Sequence, residues 1–329
     1  MTGNTKIPLR QRGLSLVELM IAMTLGILIV GGMGMLFVQN KTSYIQDEQV
    51  ARMQEDARFA LNMLVDDVEL IGFWSDIHTP TAIATHADIT GNAGCSGSIN
   101  WIYVPQRPVV VFDHTGTSIN SAFNCIADAS RQANSDAIAI NRVEGAQTTT
   151  LDAQTVYLKS NGASGVLMTS SMLDSTVTGT INWWQYKPTL YYIRNYAETA
   201  GDGIPTLCVL ELSEDLATPT MTETCIARGV ESLQVEYGID TDVDGVANTY
   251  SSAPAATLLT DRLVSVRLHL LMRSQQPIAG YTNDKSYSLG NLDSYQPNDG
   301  YYRRVYTTTV LVRNTRNLRC IDIGCEEEI

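Results

Sequence analysis

Signatures of catalysis and metal binding are scarce in this sequence. It has no Gly-x-Ser-x-Gly, no phosphate-cradling glycine loop and no Cys-x-x-Cys. The four histidines, His78, His86, His114 and His269, are scattered, with no partner at a recognised ligand spacing. Nothing here points to an enzyme or to a zinc module. Basic residues are few as well: 22 Lys and Arg against 35 Asp and Glu give a formal charge of −13. Such a field repels phosphate backbones at long range and argues against general nucleic-acid binding. No solenoid-type repeat is visible. With 44% hydrophobic and 17% charged residues the composition is globular rather than disordered.

One stretch lacks charge altogether. From Leu19 to Val38 there is no Asp, Glu, Lys or Arg over twenty residues, enough for a helix to cross a hydrocarbon core of roughly 30 Å. Just before it stands Glu18, at the start of the apolar run. An acid inside a membrane costs about 2.5–3.5 kcal/mol at a helix centre and calls for a partner, yet the segment offers none. A cut between Gly13 and Leu14 would create an amine four residues before Glu18, charged below its usual pKa of about 8. A neighbouring copy could then present its amine to this carboxylate. The order of basic leader, glycine and apolar segment is the reverse of a secretory signal, in which the apolar region precedes the cleavage site.

Arg12-Gly13-Leu14-Ser15-Leu16-Val17-Glu18-Leu19-Met20-Ile21-Ala22 closely resembles the leader and first turns of type IV prepilins and type II secretion pseudopilins. The resemblance implies cleavage after Gly13 by a prepilin peptidase, N-methylation of Leu14, and pairing of Glu18 with a neighbour's N-terminus in a filament. Leu14 departs from the family, where Phe is commonest. Loss of the leader removes Lys6, Arg10 and Arg12 and makes the mature chain more acidic still. Those same residues precede the span, so the positive-inside rule puts the leader in the cytoplasm and everything after Val38 across the inner membrane, in the periplasm.

All six cysteines, Cys95, Cys125, Cys208, Cys225, Cys320 and Cys325, fall in that part. An even number fits disulfides in an oxidising compartment. Fifteen connectivities exist; the grouping in sequence favours Cys95 with Cys125, Cys208 with Cys225 and Cys320 with Cys325.

Between Gln39 and Gly72 neither proline nor glycine occurs, and Met53, Ala57, Leu61, Leu64, Val68 and Ile71 recur at helical spacing. Glu55, Asp56, Arg58, Asp66, Asp67 and Glu69 are expected on the solvated face. Gly26, Gly31, Gly32 and Gly34 in the apolar half fit two readings, close helix packing in the membrane or local unwinding in a filament. Beyond Phe73 the period turns to two. Strands are expected at Trp101–Val104, Val109–Phe112, Ala137–Val143, Thr155–Leu158, Leu190–Arg194, Leu207–Leu212, Gly229–Gly238, Leu263–Met272 and Tyr302–Asn314, with long loops over 113–134 and 275–300. The expected fold class is α+β: a long N-terminal helix, transmembrane half then amphipathic half, packed on an antiparallel sheet in a pilin-like globular domain. The divisions are a leader at 1–13, a transmembrane or filament-core helix at 14–38, an amphipathic helix at 39–72 and a globular domain at 73–329.

The C-terminal strands, with Gly229-Val-Glu-Ser-Leu-Gln-Val-Glu-Tyr-Gly238 and Tyr301-Tyr-Arg-Arg-Val-Tyr-Thr-Thr-Thr-Val-Leu-Val-Arg-Asn314, resemble PilW-type minor pilins. Asp136-Ala-Ile-Ala-Ile140 is similar to that family too. The resemblance implies a protein at or near the tip of a type IV pilus that primes assembly with other minor pilins, the major pilin and a tip adhesin, in the service of twitching motility, adhesion or DNA uptake. The alternatives are a minor pseudopilin of type II secretion and a membrane-anchored, calcium-dependent adhesion module.

The calcium alternative rests on Asp240-Thr-Asp242-Val-Asp244-Gly245-Val246-Ala247-Asn248. Carboxylates at positions 1, 3 and 5 and glycine at 6 suit Ca²⁺, with the Val246 carbonyl at 7 and Asn248 reaching through water at 9. Ser251 replaces the bidentate glutamate at 12, and an acidic hairpin turn accounts for the same residues. Trp183-Trp184 and Tyr191-Tyr192 read as core or rim, His269 as an exposed strand residue, and Arg303-Arg304 as candidates to meet acids on a partner pilin.

Overall fold

A computed structural model describes residues 15–315 except 92, 96, 116–117 and 214–218. The leader, Gly13, Leu14, Cys320 and Cys325 lie outside the described residues. Helix α1 runs Leu16–Glu69, and the chain divides into two compact units at Gln49/Val50.

In the first unit α1 is uninterrupted through Gly31, Gly32 and Gly34, and a Cβ added at any of its four glycines would meet open space. Its large apolar side chains from Leu16 to Val38 are exposed. Among the described residues this is the one helix long and apolar enough to cross a membrane.

The second unit begins with the last turns of α1. The 3.6 period puts Met53, Ala57, Ala60, Leu64 and Val68 on one buried face. Beyond Glu69 the chain turns at Gly72, whose φ of +74° suits glycine. Asn314 Nδ2 donates to the carbonyls of Glu69 and Ile71 at 3.0 and 3.3 Å, satisfying backbone acceptors that the ending helix leaves open.

The strands are β1 (Ile83–Thr85), β2 (Val109–Phe112), β3 (Ala137–Ile140), β4 (Tyr157–Ser160), β5 (Gly165–Met168), β6 (Asn182–Gln185), β7 (Thr189–Arg194), β8 (Thr206–Leu212), β9 (Met221–Arg228), β10 (Val230–Ile239), β11 (Thr249–Ser251), β12 (Leu263–Arg273), β13 (Tyr287–Leu289), β14 (Leu292–Tyr295) and β15 (Arg303–Leu311). Two short helices, α2 (Ile119–Ala122) and α3 (Ala256–Asp261), interrupt them. They form a five-stranded sheet ordered β2-β3-β7-β8-β9, two four-stranded sheets ordered β11-β10-β12-β15 and β1-β5-β4-β6, and the hairpin β13-β14. Every pairing is antiparallel except β1 with β5.

The five-stranded sheet is apolar on both faces, and its alternation separates two cores. Ile138, Ile140, Tyr191, Ile193, Leu207 and Val209 join the α1 stripe and the inner face of β10 and β12. Their neighbours Ala137, Ala139, Leu190, Tyr192, Cys208 and Leu210 face a second core with Trp74, Trp101 and Phe123.

Several sequence expectations need correction. Trp101–Val104 is not a strand but a turn, closed by Val104 N–H on the Trp101 carbonyl at 3.2 Å with Tyr103 at φ 61°; Trp101, Ile102 and Tyr103 are buried, and Trp101 Nε1 donates to the Cys95 carbonyl at 2.7 Å. The long loop over 275–300 contains the hairpin β13-β14, turning at Gly290-Asn291. Strands β1, β5, β6, β9 and β11 lie in segments where the sequence pattern gives no strand.

Candidate functional site

Glu18 sits in the first turn of α1, where its surroundings are local. Its backbone N–H donates to Ser15 Oγ at 3.1 Å, and Ser15 N–H donates back to Glu18 Oε2 at 3.0 Å. This is a reciprocal capping box, which satisfies two amide donors that the helix start leaves open. The Ser-x-x-Glu spacing before an apolar run was visible in the sequence and explains why the helix begins at Leu16. A carboxylate accepts several hydrogen bonds, so the bond from Ser15 leaves Glu18 able to receive a charged donor. From Leu16 to Val38 it is the one charged residue.

Asp67, on the same helix, contrasts with it. Expected on the solvated face, it is 6% exposed. Asp67 Oδ1 accepts Arg142 Nε at 3.0 Å and Nη2 at 2.5 Å, and Oδ2 accepts the Thr189 and Tyr191 hydroxyls at 3.1 and 2.6 Å. Burial, with the Asp67 charge next, drives the Tyr191 hydroxyl far above its usual pKa, so it stays a donor. The pattern could have revealed this acid: Asp67 is three residues after Leu64 and four before Ile71, hence on the buried stripe rather than off it.

Other charges assigned outward are also used within the chain. Arg303, a candidate for a partner's acids, is buried and paired with Glu231 and with Asp299, whose Oδ1 and Oδ2 accept at 2.5 and 2.7 Å. Arg304 remains exposed on the opposite face of β15. His269 is half-buried, not exposed: its ring contacts Glu236 Oε2 and Thr307 Oγ1, both at 3.0 Å. Both sit on β12 and β15, where cross-strand neighbours supply partners that a single strand's alternation does not reveal. Tyr191 and Tyr192 belong to the two cores, Trp184 is half-buried against the second of them, and Trp183 is half-buried against a small cluster of Val166, Met168 and Val177.

Cys95 is bonded to Cys125 and Cys208 to Cys225. The second bond joins β8 to β9 at a cross-strand pair.

The Asp240 loop connects β10 to β11. Asp240 is buried, its Oδ1 accepting Val243 N–H at 2.6 Å and its Oδ2 Gly245 N–H at 2.7 Å. Asp242 and Asp244 are exposed, and one oxygen from each of the three acids lies within 4.8 Å of the others. Val246 is exposed. Asn248, at the ninth position, has its Oδ1 accepting Thr241 N–H at 2.6 Å and Oγ1–H at 3.0 Å, which ties the loop's two ends together.

The model of the prokaryotic N-terminal methylation motif matches residues 8–34. That match falls on the start of the chain and the apolar first unit of α1, ahead of the antiparallel sheets. A second model, that of the Type IV Pilus-assembly protein W family, matches residues 190–314, from β7 through β15. The chain thus carries the methylation motif of type IV pilins at its N-terminus and a match to the PilW family over its C-terminal strands. No curated protein matches it. Among solved structures, a type IV-like pilin from Thermus thermophilus is similar at 12% identity and a TM-score of 0.36, over 82% of this chain and 97% of that one.

Proposed function

We propose that this protein is a minor pilin that primes type IV pilus assembly and stays at or near the pilus tip. The first unit of α1 would hold it in the inner membrane with the β-rich unit in the periplasm, and prepilin peptidase would cut after Gly13 and leave Leu14 for N-methylation. It would then join other minor pilins, the major pilin and a tip adhesin. The observation that carries this reading is the pairing of a methylation motif at one end with a PilW match at the other. That second match favours a pilus over a type II secretion pseudopilus. Co-purification from detergent extracts tests the choice: pilins recovered with the full chain support the proposal, and secretion components in their place overturn it.

Calcium binding in the loop from Asp240 to Asn248 is a second proposal. It rests on the convergence of Asp240, Asp242 and Asp244, three hard oxygen donors of the kind Ca²⁺ prefers. Calorimetric titration of the full chain with Ca²⁺ tests it. Heat of binding in the wild type that is lost in Asp242→Ala supports the site, and no heat at millimolar Ca²⁺ removes it.

A further inference from the structure

Two acids and a histidine that are distant in sequence meet where the five-stranded sheet borders β10 and β11. Phe112 pairs with Ala137, so Asp113 and His114, just after β2, come beside Asp136, just before β3. His114 Nδ1 lies 3.3 Å from Asp136 Oδ1 and 3.7 Å from Asp113 Oδ1. One ligand atom from each of the three lies within 4.8 Å of the other two. Donors at about 2.0–2.1 Å around a tetrahedral Zn²⁺ stand roughly 3.3–3.4 Å apart, close to both imidazole-to-carboxylate spacings.

The cluster is shielded, with side-chain exposures of 12% for Asp113, 10% for His114 and 2% for Asp136. Backbone donors fix it: His114 N–H to Asp136 Oδ1 at 2.8 Å, Val235 N–H to Asp136 Oδ2 at 2.9 Å and Thr115 N–H to Asp113 Oδ1 at 2.8 Å. A protonated His114 would balance one of the two carboxylates.

Two buried oxygens have no partner among the described residues, and one belongs to a residue bonded to the cluster. The Tyr237 hydroxyl is fully buried, on β10 two residues beyond Val235, whose N–H holds Asp136 Oδ2. Tyr237 is also opposite Ser251 on β11, and the next residue, Ser252, meets Asn291. Asn291 Nδ2 donates to Asp113 Oδ2 at 2.7 Å and to Ser252 Oγ at 3.0 Å, while its Oδ1 is buried and unmatched. Flipping that amide would set its oxygen against the Asp113 carboxylate, so the orientation is fixed by its neighbours. Buried oxygens that find no protein donor are costly, and these two are available to a water held on an ion.

We propose that Asp113, His114 and Asp136 bind a divalent cation of the Zn²⁺ type. The imidazole favours Zn²⁺ over Ca²⁺ and Mg²⁺, which take oxygen ligands. Asn291 Oδ1 and the Tyr237 hydroxyl are the groups that hydrogen-bond the water completing the shell. The ion would tie β2 and β3 to β10 and to the turn at Asn291.

The test is equilibrium dialysis of the full chain in detergent against Zn²⁺, with elemental analysis and a thermal unfolding scan. Wild type should retain one Zn²⁺ per chain and unfold at a higher temperature with the metal. His114→Gln, which keeps a hydrogen-bonding side chain, and Asp113→Asn should each weaken binding at least about 10-fold, whereas Glu55→Gln, at an exposed position of α1 outside both acid clusters, should leave Zn²⁺ binding unchanged. Co²⁺ in place of Zn²⁺ should give visible absorption in the wild type and not in His114→Gln. Zn²⁺ retained equally by wild type and both ligand variants, or no Zn²⁺ retained by a folded wild type, overturns the site.

Discussion

Glu18 and Asp67 stand on one helix, each among apolar neighbours, and they are treated in opposite ways. Asp67 receives four hydrogen bonds from Arg142, Thr189 and Tyr191. Glu18 receives a backbone N–H from Ser15, and no cation is within its apolar segment. An acid whose partners lie in its own fold serves stability. Glu18, with only a helix cap among the described residues, is on the proposed function the acid that meets the N-terminus of another subunit.

The largest stability effect is expected where the internal acid is broken. Asp67→Ala should cost about 3–5 kcal/mol, because it strips the buried Arg142 guanidinium of its hydrogen-bonded carboxylate and leaves only Glu144 at 3.9 Å, measured by denaturant unfolding of the full chain. Replacing both residues with Leu and Met should recover much of that loss. If Asp67→Ala costs no more than a surface substitution, the contrast with Glu18 fails.

The next effect sharpens the view that the second unit is held together from within. Removing the bond between β8 and β9 with Cys208→Ala and Cys225→Ala should cost about 2–4 kcal/mol, read as a lower unfolding midpoint in the same assay.

The smallest effect depends on pH. Arg303 donates to Asp299 and holds its carboxyl below the ordinary range. A depressed folded-state pKa contributes stability above the unfolded pKa that is lost as pH falls through the folded one. The difference in midpoint between wild type and Asp299→Asn should therefore be present at pH 7 and shrink as pH drops below about 4. A difference that is unchanged in acid contradicts the pairing.

Legibility in the sequence followed periodicity. The α1 stripe and strands β10, β12 and β15 could be read because apolar and polar residue types recur along each at a regular period. Strand β5 could not, since Gly165–Met168 is buried throughout and has no alternation, and neither could β9, an edge strand rich in Thr and Glu. Trp101–Val104 misled for the converse reason: apolar residues in a row serve a core without forming a strand. At the candidate sites, local grouping revealed Cys95 with Cys125, Cys208 with Cys225 and the Asp240 loop. The cluster of Asp113, His114 and Asp136 was invisible because only the pairing of β2 with β3 closes the 22 residues between His114 and Asp136.

On the proposed function, Glu18 is kept for another subunit. The direct measurement is the fraction of Glu18→Ala protein recovered in sheared pili relative to membranes, scored with leader cleavage and thermal unfolding of the same variant. Cleavage and midpoint should match wild type while incorporation falls sharply. Wild-type incorporation, or a loss explained by failed cleavage or unfolding, would contradict it.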